Sequence, residues 1–163
     1  MSNQQQYQTL KSLLSHNEFK ENIHWKIKHL SANQTVIVEG ESHQQIFVVL
    51  EGCLMVSGDI EISDRKRISP GLYKLKEGEE FGHFCFFDDH PHCATVKTLS
   101  ACKLAIVDVT KLKFFFEKHP EIGYLIVQSW MTALLPRLRE GNKRIVNLLG
   151  WGLKAHNIDK ELA

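Results

Sequence analysis

No apolar run in the 163 residues approaches the roughly 18 needed to cross a bilayer as a helix, so no transmembrane helix is read. The start, Met1-Ser2-Asn3-Gln4-Gln5-Gln6, lacks the basic opening and apolar core of a secretory signal. Four cysteines (Cys53, Cys85, Cys93 and Cys102) sit in apolar, strand-like sequence without a CxxC pair. They read as reduced, mostly buried thiols, and the chain as a soluble cytoplasmic protein with no membrane partner. Excess charge of one sign is missing too: 20 basic and 19 acidic residues leave a net +1, which removes bulk charge as a guide to partners. P-loop and dinucleotide fingerprints are absent, and no catalytic constellation stands out, so the chain is not read as an enzyme.

What is present fits one ordinary globular domain, with 43% hydrophobic and 24% charged residues. Its charge is unevenly shared. Residues 1–110 carry 11 basic and 14 acidic side chains, and residues 111–163 carry 9 and 5. Three zones follow from the periodicity. In residues 1–27, Tyr7, Leu10, Leu13 and Leu14 recur at helical spacing, and Phe19, Ile23 and Ile27 continue the apolar side. This predicts an amphipathic helical lead-in, with Ser2 or Asn3 as its cap.

Residues 28–108 read as short strands separated by turns. Val36–Val38, Ile46–Leu50, Cys53–Val56, Ile60 with Ile62, Ala94–Thr98 and Cys102–Val107 are the apolar runs. Glu39-Gly40-Glu41, Glu51-Gly52, Ser57-Gly58-Asp59, Asp64-Arg65-Lys66-Arg67, Pro70-Gly71 and Lys76-Glu77-Gly78-Glu79-Glu80 supply the turns. Many short strands at close intervals predict an antiparallel sandwich or barrel, a mainly β fold with flanking helices. In residues 109–163 the period becomes helical. A short helix through Phe114-Phe115-Phe116 stops before Pro120, because His119 precedes a proline. A longer helix begins near Glu121, should kink at Pro136, and ends at Gly150-Trp151-Gly152.

The order and spacing of these fragments resemble the cyclic-nucleotide-binding domain of the catabolite-activator type. The carriers are Val38-Glu39-Gly40-Glu41, Phe47–Val56, Leu75-Lys76-Glu77-Gly78-Glu79-Glu80-Phe81-Gly82, Ala94–Thr98 and Phe115–Ile122, within roughly Ile23 to Arg144. The resemblance implies an antiparallel jelly roll (a double-stranded β-helix) with an N-terminal helix and a long C-terminal helix closing over a pocket. It further implies a regulatory sensor: a small ligand, in the family a cyclic nucleotide, sits in a phosphate-binding cassette and signals through that helix. Here the cassette comprises Phe81, Gly82, His83, Phe84, Cys85, His92, Cys93 and Ala94. A glycine turn leading into a short helix points backbone N–H groups at a phosphate. The family's ribose-binding glutamate is His83 here, and its phosphate-binding arginine aligns with His92. Neutral imidazole lacks both the fixed charge and the fork of a guanidinium, so any cyclic nucleotide is held in a non-standard mode.

Three other readings of the same residues stay open. His83, His90 and His92, with the His90-Pro91-His92 repeat on an extended strand, compose a cupin-like metal set. The domain can also be a ligand-free dimerising or docking module, since both anchors are replaced. Phe81, Phe84, Phe86 and Phe87 either fill the core or wall a base, and Asp88-Asp89 is read as a solvated turn. On the long helix, Gln128, Ser129 and Thr132 are the candidate lid contacts, and the helix is the expected homodimer or protein-partner surface. Arg137, Arg139, Lys143 and Arg144 are read as a solvated face; with 19 residues after Arg144, no DNA-binding domain is expected.

Overall fold

The computed structural model describes residues 8–58, 60–63 and 66–155. Along them run α1 (Leu10–Leu13), β1 (Trp25–Leu30), β2 (Thr35–Ile37), β3 (Gln45–Glu51), β4 (Leu54–Ser57), β5 (Ile60–Ser63), β6 (Lys66–Ile68) and β7 (Gly71–Leu75). After β8 (Glu80–Phe81) comes a 3₁₀ turn, His83–Phe86, followed by β9 (Thr95–Thr98), β10 (Cys102–Asp108), α2 (Val109–Lys118) and α3 (Pro120–Ala155). One antiparallel sheet has the order β1-β10-β3-β8 and a second the order β2-β9-β4-β7, while β5 pairs with β6.

The two sheets share one core. Phe47, Val49, Phe81, Cys102, Leu104 and Ile106 come from the first sheet; Ile37, Leu54, Val56, Leu75 and Val96 come from the second. Their spacing of two residues is the strand period, which sends alternate side chains to opposite faces. The first sheet is buried on both faces at its central strands, β10 and β3, so Ile46–Val49 and Leu104–Val107 are buried without interruption. Its outer side chains, Ile46, Val48, Ala105 and Val107, are covered because α1 packs on β3 and α2 on β10. The second sheet has one wet face, and β9 alternates across it: Val96 and Thr98 are buried while Lys97 is exposed. The starts of α1 and α2 are capped. The Asp108 side chain accepts from the Lys111 N–H at 3.0 Å, and Thr9 and Ser12 form a reciprocal capping box.

Several expectations change. The helical lead-in shrinks to Leu10–Leu13, and Ile27 lies in β1. Phe19, Ile23 and Ile27 mimic a helical stripe, but Trp25 and Ile27 alternate with exposed Lys26 and Lys28, and the ladder to β10 takes the segment. Thr9 caps α1; Ser2, Asn3 and Tyr7 lie outside the described residues. Lys66 and Arg67, read as turn, are in β6. The final helix does not stop at Gly150 but continues through Gly152 to Ala155. Each glycine costs about 1 kcal/mol against alanine in a helix, which a helix of this length absorbs. Its buried side chains, Ile122, Ile126 and Trp130, follow a four-residue spacing. Two compact units divide the chain, Met1–Ile126 and Val127–Ala163.

Candidate functional site

The cassette starts where β8 ends. Phe81 is buried and stacks on Phe47 at 4.9 Å, which anchors the strand in the core. Gly82 follows at φ +79°, a left-handed conformation. A Cβ there would also sit 3.1 Å from the Gln45 carbonyl oxygen and 3.4 Å from the Phe47 ring. The position therefore demands glycine twice, for backbone angle and for space. The chain then winds into the 3₁₀ turn. His83 is buried with its ring edge-on to Phe84 at 5.1 Å. Cys85 is buried as well; its thiol donates to the Gly82 carbonyl at 3.0 Å, and burial pushes its pKa up. Buried and bonded to the Gly82 carbonyl, the thiol closes the turn.

Phe84 and Phe87 are exposed, whereas Phe86 is half-buried against α2, 5.6 Å from Phe116 and 5.4 Å beneath the Lys113 ammonium. The four phenylalanines thus divide: Phe81 in the core, Phe86 on α2, and Phe84 and Phe87 facing out.

Past the turn, residues 88–94 are irregular, so the His90-x-His92 pair is not on a strand. His90 is largely exposed and turns back on Asp88, with Nδ1 3.4 Å from the carboxylate. Asp89 accepts from Gln44 Nε2 at 2.6 Å. Among the described residues no three His, Cys, Asp or Glu side chains converge to hold a metal ion. The His83/His90/His92 set is therefore corrected: His83 lies inside, His90 lies outside, and without strand geometry nothing aims the two rings of His90 and His92 together.

His92 instead belongs to a junction. Its carbonyl accepts from the Gly40 N–H at 2.9 Å and its own N–H donates to the Glu41 carbonyl at 2.8 Å. One step on, the Thr95 hydroxyl accepts from the Glu39 N–H at 3.0 Å. The exit of the cassette is thus laced to the loop before β3. Cys93 is exposed and Ala94 packs on the core. From that same loop His43 lays its ring 4.1 Å from the His92 ring and 5.4 Å, edge-on, from Phe47. Phe81, Phe47, His43 and His92 form one aromatic run joining the cassette's entry to its exit. Burial lowers both imidazole pKa values, and the neighbouring His92 lowers that of His43 further. Both ring nitrogens of His43, and Nε2 of His92, are buried without a hydrogen-bond partner among the described residues.

Residues 27–119 match the model of the cyclic nucleotide-binding domain, more than half of the chain. The chain belongs to that family. It is 28% identical over 127 residues to the cAMP-activated global transcriptional regulator CRP of Haemophilus influenzae, covering 77% of this chain and 53% of that protein. The chain thus spans about half the length of the curated relative it matches. In fold it is similar to the Thermus thermophilus catabolite activator protein (TM-score 0.62, 16% identity, covering 76% of this chain and 55% of that one). It is also similar to a cyclic nucleotide-binding domain from Methylobacillus flagellatus KT (TM-score 0.65, 19% identity, covering 76% and 67%). No helix among the described residues is long and apolar enough to cross a membrane.

Within this family frame, the structure brings Phe81, Gly82, His83 and Cys85 together at the cassette entry and His92 and Ala94 at its exit. Gln128, Ser129 and Thr132 lie in the second compact unit, where the Thr132 hydroxyl donates to the Gln128 carbonyl at 2.9 Å. The residue missed in the sequence is His43. It stands 49 positions before His92 with polar neighbours on both sides, Ser42 and Gln44, and no local pattern marks it.

Proposed function

We propose that this chain is a non-enzymatic regulatory sensor that holds a cyclic nucleotide, in a non-standard mode, against the cassette of residues 81–94. The jelly-roll description of its two sheets belongs to the same reading. The observation that carries it is the intact cassette frame around replaced anchors. The left-handed Gly82, the 3₁₀ turn and the laced exit are all built, although His83 and His92 stand where the family has glutamate and arginine. A frame that had lost its use would have no need of a glycine at φ +79° where an added Cβ would lie 3.4 Å from the Phe47 ring.

Signalling is proposed to run from the cassette into α3. Phe86 rests on Phe116 of α2, and a Cβ at Gly123, in the first turn of α3, would meet Phe116 Cγ at 2.9 Å. A shift of the 3₁₀ turn on binding therefore has a packed path to the root of α3, and interiors transmit such shifts because they are close-packed. Beyond that root, Gln128, Ser129 and Thr132 are the proposed lid contacts, and α3 the proposed homodimer or partner surface. Ligand then selects one setting of α3 from those already populated.

A thermal-shift titration tests the reading with cyclic AMP and cyclic GMP. A ligand at 100 times its Kd adds about 2.7 kcal/mol of stability, a clear rise in Tm. A rise with either nucleotide supports the sensor. Silence with both, at millimolar ligand, overturns it in favour of a ligand-free docking module of the same fold.

A further inference from the structure

We propose that His43 and His92 together receive the anionic phosphate of the ligand and take up one proton from solvent as they do so, making binding tighter in mild acid. The inference rests on the sensor reading above. It adds a residue, His43, and a proton to that reading.

The argument begins with the unsatisfied nitrogens. An imidazole always carries at least one N–H donor, and buried donors and acceptors are normally paired. Here three ring nitrogens on two touching rings have no partner among the described residues. The pair lies at the laced exit of the cassette, and His92 holds the position at which the family uses arginine. Two neutral rings 4.1 Å apart resist protonation, since burial penalises charge and each would repel the other's proton. A phosphodiester anion reverses both penalties. It supplies the countercharge and accepts an N–H from each ring, a charge-assisted bond from whichever ring is protonated. The balance is simple: one proton passes from solvent to a ring nitrogen, and no covalent bond changes in the ligand.

The surrounding charges do not already do this work. In the loop before β3, the backbone of His43 itself and, less strongly, Glu41 favour protonation of His43, but more weakly than burial and His92 oppose it. The Glu39 N–H bonds to Thr95 in β9. On the cassette side Asp88 is engaged by His90 and Asp89 by Gln44, while His83 is buried in the 3₁₀ turn and Cys93 is exposed. From β3 the pair meets Phe47, which is uncharged.

Calorimetric titration of the whole chain with cyclic AMP at pH about 6, 7 and 8, in two buffers of different ionisation enthalpy, tests this. Uptake of one proton predicts a Kd that rises by up to about tenfold per pH unit across the window, with a matching buffer-dependent heat. His43→Gln should weaken binding at pH about 6 and flatten the profile. His92→Arg should tighten binding at pH about 8 and abolish the proton uptake, since guanidinium is charged throughout. If either variant fails to fold, the proton count of the unaltered chain decides alone. Binding with a constant Kd and no proton uptake overturns the histidine pair and leaves the sensor standing. No binding at any pH, by the chain or by His92→Arg, overturns both.

Discussion

At the scale of single residues, the most consequential fact is that burial lowers the pKa of both His43 and His92, and that the neighbouring His92 lowers that of His43 further. A histidine whose folded pKa lies below its unfolded value makes the native state bind fewer protons than the unfolded chain. The stability linked to it is complete above the ordinary value of about 6.5 and is lost as pH falls from there through the folded values. Without ligand, Tm should therefore drop between pH about 7.5 and 5. The double variant His43→Gln, His92→Gln should show a smaller drop over the same range. His16, lowered by burial and by His119, is present in both proteins and cancels in the comparison. An identical drop in the two proteins would assign the acid sensitivity elsewhere. The sequence made His92 visible, because the cassette fragments on either side align it with a charged anchor. His43 was invisible, since its role depends on a ring in contact 49 residues away.

At the scale of elements, the packing of α2 on the start of α3 depends on a missing side chain. Gly123 lies under Phe116, with an added Cβ 2.9 Å from Cγ and 3.0 Å from Cβ of that side chain. Gly123→Ala must displace Phe116 or the first turn of α3, and overpacking of this kind costs about 1–3 kcal/mol. Helix propensity would favour the alanine by about 1 kcal/mol, so a net loss of stability in urea unfolding identifies the contact as the cause. A gain would show that Phe116 yields freely and that the packed path from Phe86 is slack. Element types were largely legible from period alone: β2, β3, β4, β9, β10 and α2 fall where alternation or helical spacing put them. Segment 19–27 was misread because apolar residues four apart suit a helix, while β1 owes its existence to the ladder with β10. Strand identity there is a tertiary property.

At the scale of the whole molecule, α3 shows a long apolar surface. Met131, Leu135, Leu138, Ile145, Val146 and Leu149 are exposed among the described residues. Solvated helices carry such residues singly, and this set is the surface on which the proposed self-association would rest. Self-association through α3 predicts that sedimentation velocity finds a dimer at micromolar concentration. Leu135→Glu with Leu138→Glu should yield a monomer with unchanged far-ultraviolet circular dichroism. A monomeric unaltered chain across the concentration range would remove the homodimer and leave a different protein as the partner.

The sequence by itself determined the family frame: a mainly β domain, turns at acidic–glycine pairs, a cassette entry at Phe81-Gly82, and helices after residue 108. These are local properties, written in side-chain period and in the backbone freedom of glycine, and local physics suffices to read them. Only the tertiary structure decided what the histidines are. It sent His90 into solvent, buried His83, dissolved the three-histidine metal set, and joined His92 to His43 across the laced exit of the cassette. Burial and countercharge set the chemistry of an imidazole, and both are fixed by which distant segments the fold brings alongside it.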